Sequence, residues 1–267
     1  MKAQKRFAKM VFYMKACSSG SMFQDLAPDD INVYVMACAN SDKCYSTCHY
    51  DEYREASTGN LFRILKGENG AQLNATKLWV VLVAGPPRWD NYRYQASVCH
   101  ARQMLHSHGV QDERIVVLMF DDIAYSANNP TPGANRRTTR TSCMVSAETF
   151  FNVLRGQKPT YGSGKVVASE PDDQVFVYFV GEGQKYRIQF PDDAIYAHDL
   201  VNFLVELKAH RKFSKMVFYL DTCNSGSMFE FLLPEDSDVY ALTAINSDGV
   251  SSACYLNPGR LTSRVTA

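Results

Sequence analysis

The sequence lacks a surplus of charge, a long apolar run, paired cysteine motifs and an abundance of histidine, and each lack removes a class of function. Its 28 Lys and Arg balance 28 Asp and Glu, for a net charge of +0. No basic field for a nucleic acid follows, because the cluster of Arg136, Arg137 and Arg140 is short, carries no interleaved aromatics and suits a solvated loop. No stretch approaches the roughly 18 apolar residues of a membrane span. The first residues, MKAQKRFAKMVFYMKAC, imitate a signal peptide, but Lys15 cuts the apolar patch too short for its hydrophobic region. The eight cysteines, at 17, 38, 44, 48, 99, 143, 223 and 254, show no CxxC spacing, so neither a zinc site nor any other metal or cofactor is expected. With 46% hydrophobic and 21% charged residues among 267, the chain has the composition of a globular protein with a large core.

What is present starts with a repeat. Displacing the chain by 206 positions lays RFAKMVFYMKACSSGSMFQDLAPDDINVY, residues 6–34, over KFSKMVFYLDTCNSGSMFEFLLPEDSDVY, residues 212–240, without a gap. About half the aligned positions are identical, and the register runs on to Cys48 over Cys254. A solenoid needs at least three adjacent units, so this is a partial duplication. Three regions are expected: a duplicated fragment over 1–52, a linker over 53–77 and a main domain over 78–267.

Within the main domain, LWVVLVA (78–84), 115–120, VFVYFV (175–180), 217–220 and 239–244 are short apolar runs bounded by turn residues, the pattern of buried strands. Helices are expected between them. Residues 95–108 put Val98, Ala101 and Leu105 on one face, Ser146 can cap a helix that stops at Gly156, and 198–210 place Leu200, Phe203, Leu204 and Leu207 together. Alternation of strand and helix predicts an α/β protein with a mostly parallel sheet covered on both faces. Cys223, just past a strand and followed by Asn224, Ser225 and Gly226, then lies at the carboxyl edge, where reactive groups of such sheets collect.

Several long stretches carry a family resemblance. LWVVLVAG (78–85), WDNYRYQASVCHA (89–101), IVVLMFDDIAYSANNPTPG (115–133), FFNVLRG (150–156), GSGKVV (162–167), VFVYF (175–179) and KMVFYLDTCNSGSMF (215–229) resemble the legumain family of cysteine peptidases, in the caspase-like clan. Residues 6–65 resemble a displaced fragment of that family's later half. The resemblance implies a caspase-like three-layer α/β/α sandwich, peptide or protein substrates, cleavage after asparagine and a lysosomal or secreted setting. It places the nucleophile at Cys223 and a residue that positions the catalytic His at Asn91. The specificity pocket falls on Arg93, Asp221 and Ser252. A guanidinium and a carboxylate suit an asparagine side chain, which both accepts and donates. Arg93 and Asp221 could instead pair with each other.

One departure bears on the chemistry. Where the family has its catalytic His, this sequence has Val180-Gly181-Glu182-Gly183, with Glu182 at the His position. The thiolate is the nucleophile, and an imidazolium beside it favours that form and later protonates the leaving amine. A carboxylate opposes ionisation of the thiol by like-charge repulsion and, once ionised, has no proton to give. Losing the base of such a pair costs on the order of 10³ to 10⁶ in rate. The six histidines, at 49, 100, 106, 108, 198 and 210, lie in other segments, and His198 at a helix start suits a surface or capping role. Tyr94 replaces a pocket His and is expected to remove a polar group from the site. The loop over 133–145 is shorter than the family's. The resemblance also makes the main domain truncated, with the family's last core strand, its pocket Asp and its prodomain expected past Ala267. Residues 54–65 are a candidate replacement for that strand. Two readings follow, an impaired endopeptidase cleaving after asparagine or a non-catalytic binding relative. The glycosylphosphatidylinositol transamidase subunit, whose nucleophile also follows Asp-Thr, is a minor alternative.

Overall fold

A strand whose residues are apolar on both faces can be stable only when both faces are covered, and five such strands form the centre of this protein. In the computed structural model, which describes residues 10–14, 33–37, 74–129, 145–160 and 162–249, these strands are all parallel. The described residues fall into two compact units, one holding the first two strands and the other the remainder. In the first unit, β1 (Met10–Met14) pairs in parallel with β2 (Val33–Ala37), Met10 opposite Val33.

The second unit runs β3 (Leu78–Ala84), α1 (Tyr92–Ser107), β4 (Ile115–Leu118), α2 (Ala147–Arg155) and β5 (Gln174–Val180). Three short strands follow, β6 (Gly183–Gln184), β7 (Arg187–Gln189) and β8 (Ala194–Tyr196), and then α3 (Ala197–Ala209), β9 (Lys215–Asp221) and β10 (Val239–Thr243). The sheet order is β10-β9-β5-β3-β4. Met216 lies opposite Val239, so β9 and β10 repeat the register of β1 and β2 displaced by the same 206 positions.

The layers follow from alternation along each strand. Val81 and Val83 of β3, Val177 and Phe179 of β5, and Phe218 and Leu220 of β9 face a core shared with α2 and α3. Their neighbours Val80, Leu82, Phe176 and Val217 are equally buried toward the opposite face, where α1 lies on β3 through Val98, Ala101 and Leu105. A ladder of aromatic rings stitches the first core: Phe218 lies 6.3 Å from Phe150 and 5.4 Å from Phe229, and Phe150 lies 6.0 Å from Phe190. The expected α/β/α layering with a mostly parallel sheet is what the structure has.

The strand over 78–84 and the capping of α2 are as expected. Ser146 Oγ accepts from Thr149 N, and Gly156 takes the left-handed conformation (φ 81°) that ends the helix. Other boundaries move. The helix expected from 95 begins at Tyr92, the strand expected to 120 ends at Leu118, and the last strand stops at Thr243. The antiparallel sheet of β6, β7 and β8 was not expected, because strands of two or three residues leave no period to read. The expected strand within 54–65 and the pocket residue Ser252 lie outside the described residues.

Candidate active site

The sheet itself marks the crevice. From β3 the chain moves outward to β4, then returns to β5 on the other side, so the topological switch falls between β3 and β5 at their carboxyl ends. Ala84, Val180 and Asp221 are level across β3, β5 and β9. One further rung continues the ladder past the strands, with Gly85 N donating to Val180 O (2.9 Å) and Gly181 N to Asp221 O (3.2 Å). A Cβ on Gly181 would lie 3.2 Å from the Gly85 Cα, and one on Gly183 would lie 2.6 Å from the Cys223 carbonyl oxygen. Glycines let the three chain ends close on one another. The residue after Glu182 thus packs directly against the backbone of Cys223.

Cys223 is half-buried and is not in a disulfide. Its loop is braced from one side by the loop after β10. Asn224, in the left-handed region at φ 52°, donates through its backbone N to Gly249 O (2.8 Å) and through Nδ2 to Ser247 O (2.9 Å). Buried Ser225 donates to Ile245 O and accepts from Ile245 N, both at 3.1 Å. Side-chain bonds to backbone of this kind fix a turn that the sheet ladder cannot reach. The thiol is therefore held by structure on both flanks.

The residues at the start of α1 meet the residue after β5. Arg93 Nη2 donates to Glu182 Oε1 at 3.2 Å and to the Tyr94 hydroxyl oxygen at 2.6 Å, and the Tyr94 hydroxyl donates to the same Glu182 oxygen. The guanidinium also lies 4.2 Å from the Tyr94 ring centroid, and Nη1 donates to Asp90 O. Burial first, and the bond to Glu182 second, push the Tyr94 hydroxyl well above the ordinary tyrosine range, so it remains a donor at neutral pH. The side chains of Arg93 and Glu182 are 28% and 48% exposed, and an ion pair so placed contributes about 1 kcal/mol or less. The cluster fixes direction more than it adds stability.

The Tyr94 hydroxyl is taken up by Glu182, and Arg93 is engaged by the same carboxylate, a partner the sequence reading did not give it. Asn91 uses Nδ2 on the Pro87 carbonyl (2.9 Å), closing the loop between β3 and α1. Asp122, after β4, ties that loop down by accepting from Arg88 N and Gln95 Nε2, both at 2.6 Å. Sequence reasoning missed Asp122, Gly183 and the Ser225 brace; a glycine placed directly after the Glu at a strand end was the one available signal.

No imidazole occupies the 181–183 segment that follows β5. His106, His108 and His210 lie at the carboxyl ends of α1 and α3, which run back toward the opposite edge of the sheet. His198 is exposed on the first turn of α3, as expected of a surface residue. Among the described residues, no group of three or more His, Cys, Asp or Glu is placed to hold a metal ion, and no helix is long and apolar enough to cross a membrane.

A cysteine at the carboxyl edge of a parallel sheet, on a turn between two strands, sits where reactive groups of such sheets collect, and comparison with known proteins gives the family. The profile of the Peptidase C13 family matches residues 1–73 and 78–265, and the chain belongs to that family. It is 44% identical over 201 residues to legumain of Rattus norvegicus, an alignment covering 70% of this chain and 46% of the rat protein. It is 41% identical over 197 residues to hemoglobinase of Schistosoma japonicum, covering 69% of this chain and 46% of that protein. It is 41% identical over 192 residues to the vacuolar-processing enzyme delta-isozyme of Arabidopsis thaliana, covering 66% and 41%. The chain spans less than half the length of these relatives.

Proposed function

We propose that this protein is a C13 cysteine endopeptidase relative that recognises asparagine in a polypeptide but has little or no hydrolytic activity on the following bond. The observation that carries the reading is the Arg93–Tyr94–Glu182 cluster beside the Cys223 loop. Cys223 takes the nucleophile's place, and Asn91, Arg93, Asp221 and Ser252 take the places of the positioning and pocket residues. Hydrolysis needs a group that removes the thiol proton and returns it to the leaving amine. Glu182 stands where that group is required, with its carboxylate already bonded to a guanidinium and a phenol. A carboxylate that accepts from both has no proton of its own to give to a leaving amine.

Recognition is less affected than chemistry. The Arg93–Glu182 pair is partly exposed and weak, so an asparagine carbonyl entering a shielded site can compete for the guanidinium. Binding of a fluorescein-labelled Ala-Ala-Asn-Ala-Ala peptide, followed by anisotropy, tests this directly. The protein should prefer it to Ala-Ala-Ala-Ala-Ala by about tenfold or more, as loss of a charge-assisted hydrogen bond costs about 1.5–3 kcal/mol. Arg93→Ala should erase the preference. Equal binding of the two peptides by the unaltered protein would contradict the reading.

A further inference from the structure

One residue beside the site has a conformation and an exposure that the fold does not require. Tyr186 is the second residue of the two-residue turn between β6 and β7, which is closed by the pairing of Gln184 with Arg187. Its φ is 62°, while Lys185 before it is not in the positive-φ region. A turn with positive φ only at its second central position favours glycine there, since a side chain crowds the following backbone. A bulky aromatic in that place is a true outlier. Yet the ring is 51% exposed, so it is not retained for packing in the core.

The backbone of Tyr186 is tied to the nucleophile's loop. Its N–H donates to Ser227 Oγ (2.7 Å), Ser227 Oγ donates to Asn224 O (2.7 Å), and Asn224 follows Cys223 directly. Its carbonyl accepts from Ala197 N at the start of α3 (2.9 Å). The Lys185 ammonium lies 5.8 Å from the ring centroid and 2.8 Å from Asp248 Oδ1, in the loop after β10 that also braces Asn224. Next to the Cys223 turn, Gly226 and Ser247 line an open groove. Every backbone bond of the turn would survive with glycine at 186, and the ring's cation contact is to Lys185 of the same turn, so the strained position keeps a half-exposed ring on a turn tied to the Cys223 loop.

We propose that Tyr186 is a specificity residue whose ring receives an aromatic side chain flanking the asparagine of a polypeptide laid across Cys223. The inference rests on the asparagine-binding reading above. An exposed aromatic on a fixed backbone contributes binding area with little ordering cost, and a ring pair favours one side chain over alanine by about three- to tenfold.

The test uses the full chain and labelled Ala-Phe-Asn-Phe-Ala and Ala-Ala-Asn-Ala-Ala peptides in anisotropy titrations, with thermal unfolding in parallel. The unaltered protein should bind the phenylalanine-flanked peptide about three- to tenfold more tightly. Tyr186→Gly should abolish that difference while raising the unfolding midpoint, because glycine relieves the turn. Tyr186→Phe should keep the preference. A preference retained by Tyr186→Gly overturns the proposal, as does a preference lost together with a lower midpoint, which makes the ring structural. Equal binding of Ala-Phe-Asn-Phe-Ala and Ala-Phe-Ala-Phe-Ala by the unaltered protein overturns the asparagine reading as well, and so separates the two failures.

Discussion

Glu182→His raises the rate at which this protein hydrolyses an asparaginyl peptide by about 10² to 10⁴, the range supplied by one positioned general acid–base group. Two effects of the substitution act together. It puts an imidazole one residue before Gly183, which packs on the Cys223 backbone, and it removes the carboxylate that engages Arg93 and Tyr94. Glu182→Ala separates them, since it frees Arg93 without providing a base. That variant should bind the peptide at least as tightly as the unaltered protein and show no gain in turnover. Liquid chromatography of the cleaved and intact peptide reads both. A gain with alanine as large as with histidine would mean that pocket blockage, not the missing base, limits the rate.

The second large effect is on stability. Phe218→Ala costs about 3–5 kcal/mol in denaturant unfolding of the full chain. Phe218 is fully buried in the interior strand β9, opposite Val177 of β5 and Ala241 of β10, and its ring meets Phe150 and Phe229. Removing it opens a cavity between a strand and a helix whose backbones are held by other contacts and cannot collapse into the space. Domains hold only about 5–15 kcal/mol in total, so the loss is a large share. Phe218 is also five residues before Cys223, and the same strand sets where the thiol emerges. A loss under about 1 kcal/mol would mean that the Phe218 ring is not packed among Phe150 and Phe229 as described.

How much of this was legible in the sequence depends on whether the information was local. The strand over 78–84 and the helix from Ser146 to Gly156 were readable because apolar runs, an oxygen-bearing cap and a left-handed glycine act within a few residues. The start of α1 was missed by three residues, since Tyr92, Arg93 and Tyr94 carry no capping signal and Asn91 makes no side-chain cap. The hairpin and third strand over 183–196 were invisible for want of length. Glu182 was legible as a misplaced residue against the family pattern. What it does was not: its bonds to Arg93 and Tyr94 join positions 89 and 88 residues apart, and only the closure of β3 on β5 brings them together. The sequence reading offered Asp221 as an alternative partner for Arg93 and gave no sign of the bond to Glu182.

The claim at the centre is the proposal that Cys223 takes the nucleophile's place while Glu182 stands where the proton-transferring base is required. The direct measurement is hydrolysis of an asparaginyl peptide by the purified full chain and by its Cys223→Ser variant, under identical conditions. The two should be indistinguishable, both at the rate of the peptide in buffer alone. Turnover by the unaltered protein that Cys223→Ser abolishes would contradict the claim.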